Sequence, residues 1–127
     1  MSAMNAALLK DGIVLIREVR FCVRLGSRLK GLLGTRSLGA GRAVFIAPCA
    51  AIHTFFMRMD LDVVFLSHDL HVTRVVRGVR PNRMVGGGMN AWGVLEMQAG
   101  WFAPDALRAG DQVSFRPVTP APAAASR

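Results

Sequence analysis

Between Asp62 and Val79 the chain reads DVVFL, then SHDLH, then VTRVVRGV: two valine-rich runs on either side of a short turn-compatible stretch. Runs of this kind fold as extended strands that return on one another, because β-branched side chains pack well on a pleated surface. Whatever the chain adopts must therefore house an antiparallel hairpin. At the turn stands Asp69-Leu70, and leucine resists the positive φ that a tight two-residue turn requires. A looser turn is expected there.

Other segments extend the pattern. Strands are expected over Ile13 to Val23, Arg42 to Ala47, His53 to Asp60, Trp92 to Ala99 and Gln112 to Arg116. In the third, alternation would place His53, Phe55, Met57 and Met59 on one face and Thr54, Phe56, Arg58 and Asp60 on the other. Two short helices are expected. Ser27 is a suitable N-cap for Leu25, Leu29, Leu32 and Leu33 at helical spacing, with Gly34 past the end. Pro104 to Ala109 has proline in the first turn and Gly110 beyond the last. The expectation is thus a compact α+β domain with a curved, mostly antiparallel sheet or small barrel and two short helices. Its limits are a flexible N-terminus over 1–12, a single domain over 13–117, and a disordered Pro- and Ala-rich tail over 118–127.

Composition narrows the functional classes. With 127 residues and 52% apolar content, the chain fits one packed domain. No apolar stretch approaches the roughly 20 residues of a spanning helix, so no membrane insertion is expected. The N-terminus has no basic n-region, and Lys10 and Asp11 interrupt its only apolar stretch. A cytoplasmic location with free thiols at Cys22 and Cys49 is the expectation. The net charge of +8 invites an anionic partner. The arginines, however, are dispersed, tyrosine is absent, and no RNA-recognition, zinc-finger or basic-region motif is present. Specific nucleic-acid binding is not expected, and weak binding through the basic surface stands as a second alternative.

The runs RLKGLLGTRSL, PCAAIHTFFMRMDLDVVFLSHDLHVTRVV, VLEMQAG and LRAGDQVSF, in that order, resemble the bacterial and archaeal family called domain of unknown function 192. The resemblance spans roughly residues 22 to 116. It implies a compact mixed α+β fold and assigns no biochemical role. Asp60 stands where relatives usually place a proline, and Asp69-Leu70 where they usually turn on Asp-Gly. Relatives often carry the PC and IHT pattern and others lack it, which speaks against a chemistry common to the family.

Cys49 and His53 raise the question of a thiolate and its base, a pairing that needs hydrogen-bond reach. On a continuous strand they would stand about 13 Å apart, against about 6 Å in a helical turn. They are held as the alternative, a thiol-dependent or hydrolytic enzyme, and no catalytic group is the primary expectation. No metal or cofactor is expected, because CxxC and HExxH spacings are absent and His68 and His71 straddle a turn. Gly86 to Gly88 lack the Lys-Ser/Thr pair of a phosphate loop and are read as a flexible link or lid. The remaining polar residues, Arg28, His53, Thr54, Arg58, Asp62 and Glu96, are expected either to form a structural charge network or to line a cleft. In the second case the domain is a binding module for a small anionic ligand or a peptide carboxylate, arginine being suited to bidentate contact.

Overall fold

The computed structural model describes residues 5–22 and 39–118. Among these residues all regular structure is β: β1 (Asn5–Lys10), β2 (Ile13–Cys22), β3 (Arg42–Ile46), β4 (Ala51–His53), β5 (Leu61–Leu66), β6 (Val72–Val79), β7 (Met84–Gly86), β8 (Gly93–Gln98) and β9 (Ser114–Pro117). The α+β expectation is corrected for the described residues, which are all β. Pro104 to Ala109 forms turns instead of a helix, with Ala106 N–H donating to the Ala103 carbonyl at 3.1 Å and Asp111 N–H to Arg108 at 3.0 Å. Six residues make fewer than two helical turns, too few to offset nucleation. Tertiary contacts decide instead, since Leu107 is buried in the core and Asp111 Oδ2 accepts the Arg108 N–H at 2.8 Å. The other expected helix, around Ser27 to Leu33, lies outside the described residues, as do Arg28 and the tail beyond residue 118.

Seven strands form one sheet in the order β6-β5-β8-β3-β2-β1-β9, and β4 pairs with β7 in a separate two-stranded sheet. In the large sheet β2 and β3 run parallel, and every other neighbouring pair is antiparallel. The sheet curls until its ends touch: Val72 N–H donates to the Asp111 carbonyl and Gly110 N–H to Val72, both at 2.7 Å, and Val113 N–H reaches Leu70 at 3.0 Å. Those bonds join the start of β6 to the segment leading into β9.

Alternation along the strands builds two apolar layers. Leu8, Ile16, Val19, Phe45, Val64, Leu66, Leu95 and Met97 pack on one side, where Phe102, Leu107 and Val113 join them. Val44, Ile46, Leu61, Val63, Phe65 and Val94 pack on the other, against Ile52, Met57 and Met59. The β4–β7 pair and the chain that follows β4 therefore cover the second face. This explains why all six residues of β5 are buried, and why its sequence is almost continuously apolar.

Two local expectations change. The start of the chain is strand β1, with Ala6 to Leu9 buried, although AALL carries no strand-like alternation. The extended run from His53 to Asp60 ends at His53: the chain turns at once, Met57 N–H donating to the Thr54 carbonyl at 3.2 Å, with Phe56 at φ 68°. Met57 and Met59 are buried and Arg58 is exposed, so Arg58 does not share a face with Thr54. The turn after β5 is looser than a two-residue hairpin, Ser67 N–H donating to the His71 carbonyl at 2.8 Å and closing a loop of three residues, within which Leu70 takes φ 65°. Its side chain packs on the core, and Ser67 Oγ accepts the His71 N–H at 3.0 Å, contacts that offset the cost of left-handed backbone in a non-glycine residue.

Candidate functional site

Thr54 is fully buried and joins two loops. Its hydroxyl donates to the Arg80 carbonyl at 2.6 Å and accepts the Arg83 N–H at 2.9 Å. Its own N–H donates to the Arg83 carbonyl at 2.8 Å, and its carbonyl accepts the Asn82 N–H at 3.0 Å. A buried hydroxyl needs such partners, since leaving it dry would cost more than the bonds contribute. Threonine at this position thus fixes residues 80–83 against the turn at 54–57.

That junction gathers arginines. Arg58 follows the turn, Arg80 and Arg83 lie on the partner loop, and all three are exposed. Among the described residues none of them forms an ion pair; Lys10, Arg42, His71, Arg77 and Arg108 do. Arg83 Nη1 makes one exposed contact, to the Asn82 carbonyl at 3.3 Å. His53 stands beside them, paired with Met84 across β4 and β7. Its ring stacks on Phe55 at 4.9 Å, and its buried Nδ1 has no hydrogen-bond partner among the described residues.

The remaining polar residues singled out in the sequence are placed elsewhere. Asp62, 2% exposed, accepts the N–H of Gly78 at 2.9 Å and of Gly100 at 3.3 Å, and pairs with Arg77 at 3.5 Å. It closes the irregularity in the β5–β6 pairing between Leu61 and Val63. Glu96 is also buried, opposite Val44 and Val63. Strand alternation puts Glu96 with Val94 on one face of the sheet, and Asp62 with Val64 and Leu66 on the other. The two carboxylates do not converge on one cleft. Cys49 Sγ donates to the Ala51 carbonyl at 3.0 Å, so its hydrogen bond does not go to His53. Arg80, Arg83 and Met84 were not legible as site residues, because RPNRMVGGG reads as loop and conceals β7. The signal that could have found them is the pair Arg80 and Arg83 directly after the end of β6.

A separate cleft of about 850 Å³ lies at the β5–β6 turn, lined by His68, Asp69, His71, Gly88 and Asn90 among others. Asp69 accepts from Ser67 Oγ at 2.5 Å and from His71 Nδ1 at 3.2 Å. Those bonds hold its carboxyl below the usual range, Ser67 contributing most and His71 next. Thr73 Oγ1 binds the Gly87 carbonyl at 2.9 Å, and His68 packs on Trp92 at 4.6 Å. Among the described residues no arginine lines this cleft and no group of three metal-ligating side chains occurs, and its acidic group is satisfied internally. Among the described residues, no helix is long and apolar enough to cross a membrane.

The fold has solved counterparts. A protein of unknown function from Novosphingobium aromaticivorans superposes with a TM-score of 0.74 at 18% identity, over 88% of this chain and 84% of its own. A "putative transcription regulator" from Sinorhizobium meliloti gives a TM-score of 0.74 at 16% identity, over 90% of this chain and 94% of its own. At these identities the likeness concerns the fold alone. Comparison with curated proteins gave no match. A family profile, described as uncharacterized ACR, matches residues 8–115. The chain belongs to the family called domain of unknown function 192.

Proposed function

We propose that the domain is a binding module that captures a small anionic ligand or a peptide carboxylate where the 54–58 turn meets residues 80–83. The observation that supports this reading is that Thr54 ties the backbone of Arg80 and Arg83 to the turn that Arg58 follows, with no carboxylate paired to any of the three among the described residues. An anion that bridges arginines from the two segments gains charge-assisted hydrogen bonds. Arginine suits the task because its planar fork meets carboxylate or phosphate oxygens in pairs. His53 adds an imidazole at the edge of the same junction. Thr54 acts as a positioning residue, its hydroxyl being used up by backbone groups.

The test is a thermal-melt series with pyrophosphate and with a short peptide ending in a free carboxylate. A ligand that binds only the folded state raises the midpoint. The reading predicts a rise of several degrees with one of these probes, abolished in the Arg58→Ala/Arg80→Ala double variant, whose unliganded midpoint stays near that of the parent. A rise that survives the double substitution, or no rise with either probe, refutes it.

A further inference from the structure

The same turn carries a feature that anion capture does not use. Phe56 is 79% exposed at φ 68°, a conformation that glycine adopts freely and a side-chain-bearing residue adopts at a cost. Exposure forfeits burial of the ring and the backbone is strained, so neither term favours phenylalanine for folding. Met84, 77% exposed, and Phe55, 38% exposed, lie beside it: Phe55 precedes Phe56 in the turn, and Met84 pairs with His53. Together they present on the order of 400 Å² of apolar surface, flanked by Arg58, Arg80 and Arg83.

We infer that this tip docks the domain on an anionic bilayer surface, with Phe56 and Met84 entering the headgroup layer and the three arginines meeting lipid phosphates. The inference rests on the anion reading for its cationic half. A bilayer is favoured over a protein partner by the pairing of a small apolar tip with cationic side chains, since a few inserted side chains with a basic collar suffice for reversible membrane attachment. The unpaired arginines also complement anionic lipid, each residue near such a surface strengthening attachment about fivefold. No spanning segment is involved.

The experiment is sedimentation of the full chain with phosphatidylcholine vesicles and with phosphatidylcholine vesicles containing phosphatidylserine, beside a pyrophosphate titration. Expected are binding to the anionic vesicles only, weakening with salt, a loss of about tenfold in Phe56→Ser, and a comparable loss in Phe56→Gly. The glycine variant should melt no lower than the parent, because it relieves the left-handed backbone, and this separates docking from folding. Pyrophosphate affinity should be unchanged in both variants. No vesicle binding, or vesicle binding indifferent to Phe56, overturns the inference even if pyrophosphate binds. Vesicle binding sensitive to Phe56 without pyrophosphate binding sustains docking and removes the small-ligand reading. Self-association of the parent that Phe56→Ser abolishes would assign the tip to a second copy, and unfolding of Phe56→Gly would assign it to the fold; either result overturns docking.

Discussion

Thr54 and Arg83 exchange backbone and side-chain hydrogen bonds in both directions, Thr54 N–H to the Arg83 carbonyl at 2.8 Å and Arg83 N–H to Thr54 Oγ1 at 2.9 Å. This reciprocal pair, with the 2.6 Å bond from the same hydroxyl to the Arg80 carbonyl, turns a loop tip into a defined surface. It connects a buried threonine to the placement of exposed arginines.

Replacing Thr54 by valine keeps the shape and removes the hydroxyl. The Arg83 N–H and the Arg80 carbonyl then lose their partner in a dry site, which should cost about 1–3 kcal/mol. Urea unfolding measures the loss. Arg58→Ala, at an exposed position without an ion pair, should stay within about 0.5 kcal/mol of the parent. Equal stability of the threonine variant and the parent would remove Thr54 from its role as the junction.

Asp62 should matter more to stability than to binding. Two N–H groups and Arg77 converge on it, and hydrogen bonds to a charged acceptor contribute about 1.5–3 kcal/mol each. Asp62→Ala should therefore destabilise by several kcal/mol in urea, and Asp62→Asn, which retains one acceptor oxygen, by less. Pyrophosphate affinity of the folded fraction of Asp62→Asn should match the parent.

Acid should loosen the closure of the sheet. Asp111 is held below the usual carboxylate range, first by the Arg108 N–H and next by Lys10, whose ammonium lies 3.0 Å away. A carboxylate whose folded pKa is depressed contributes stability that is fully present above its unfolded value, about 3.9, and is lost as pH falls through the folded value. Asp69 has the same sign. Midpoints measured from neutral pH downward should fall below about pH 4, and Asp111→Asn should flatten that fall. An unchanged acid limb in the variant would show that the Lys10 contact does not stabilise the fold.

Gly93 offers a test of the sheet itself. A Cβ at this position in β8 would collide with the Phe45 ring and stand 3.2 Å from Ala47 Cβ. Overpacking of this kind costs about 1–3 kcal/mol, so Gly93→Ala should melt several degrees lower. Gly12→Ala meets no steric obstacle, and its cost is confined to the positive φ of 78°.

Much of the sheet was legible in the sequence, because β2, β3, β5, β6 and β8 carry β-branched or alternating patterns that solvent and core impose directly. β1 was not, since AALL is buried without alternation, and alanine and leucine favour helices in isolation. β7 was hidden by its three-residue length and by the glycines beside it. The misreading of His53 to Asp60 has a tertiary cause: alternation alone supports extension, and only the distant backbone of residues 80–83, which Thr54 binds, forces the turn. The candidate site shows the same division. His53 and Arg58 could be nominated by chemistry, whereas Arg80 and Arg83 join them through contacts across 26 and 29 residues of chain. Asp62 and Glu96 were grouped because both are acidic in apolar runs, yet their strand parity sends them to opposite faces.

Arginine side-chain NMR during titration with pyrophosphate tests the central claim most directly, because each Nε–Hε group reports on its own surroundings. The account predicts saturable shifts for Arg58, Arg80 and Arg83, with Arg42, Arg77 and Arg108, which already hold carboxylates, left unmoved. Shifts spread evenly over all the arginines, or none at the three, would contradict it.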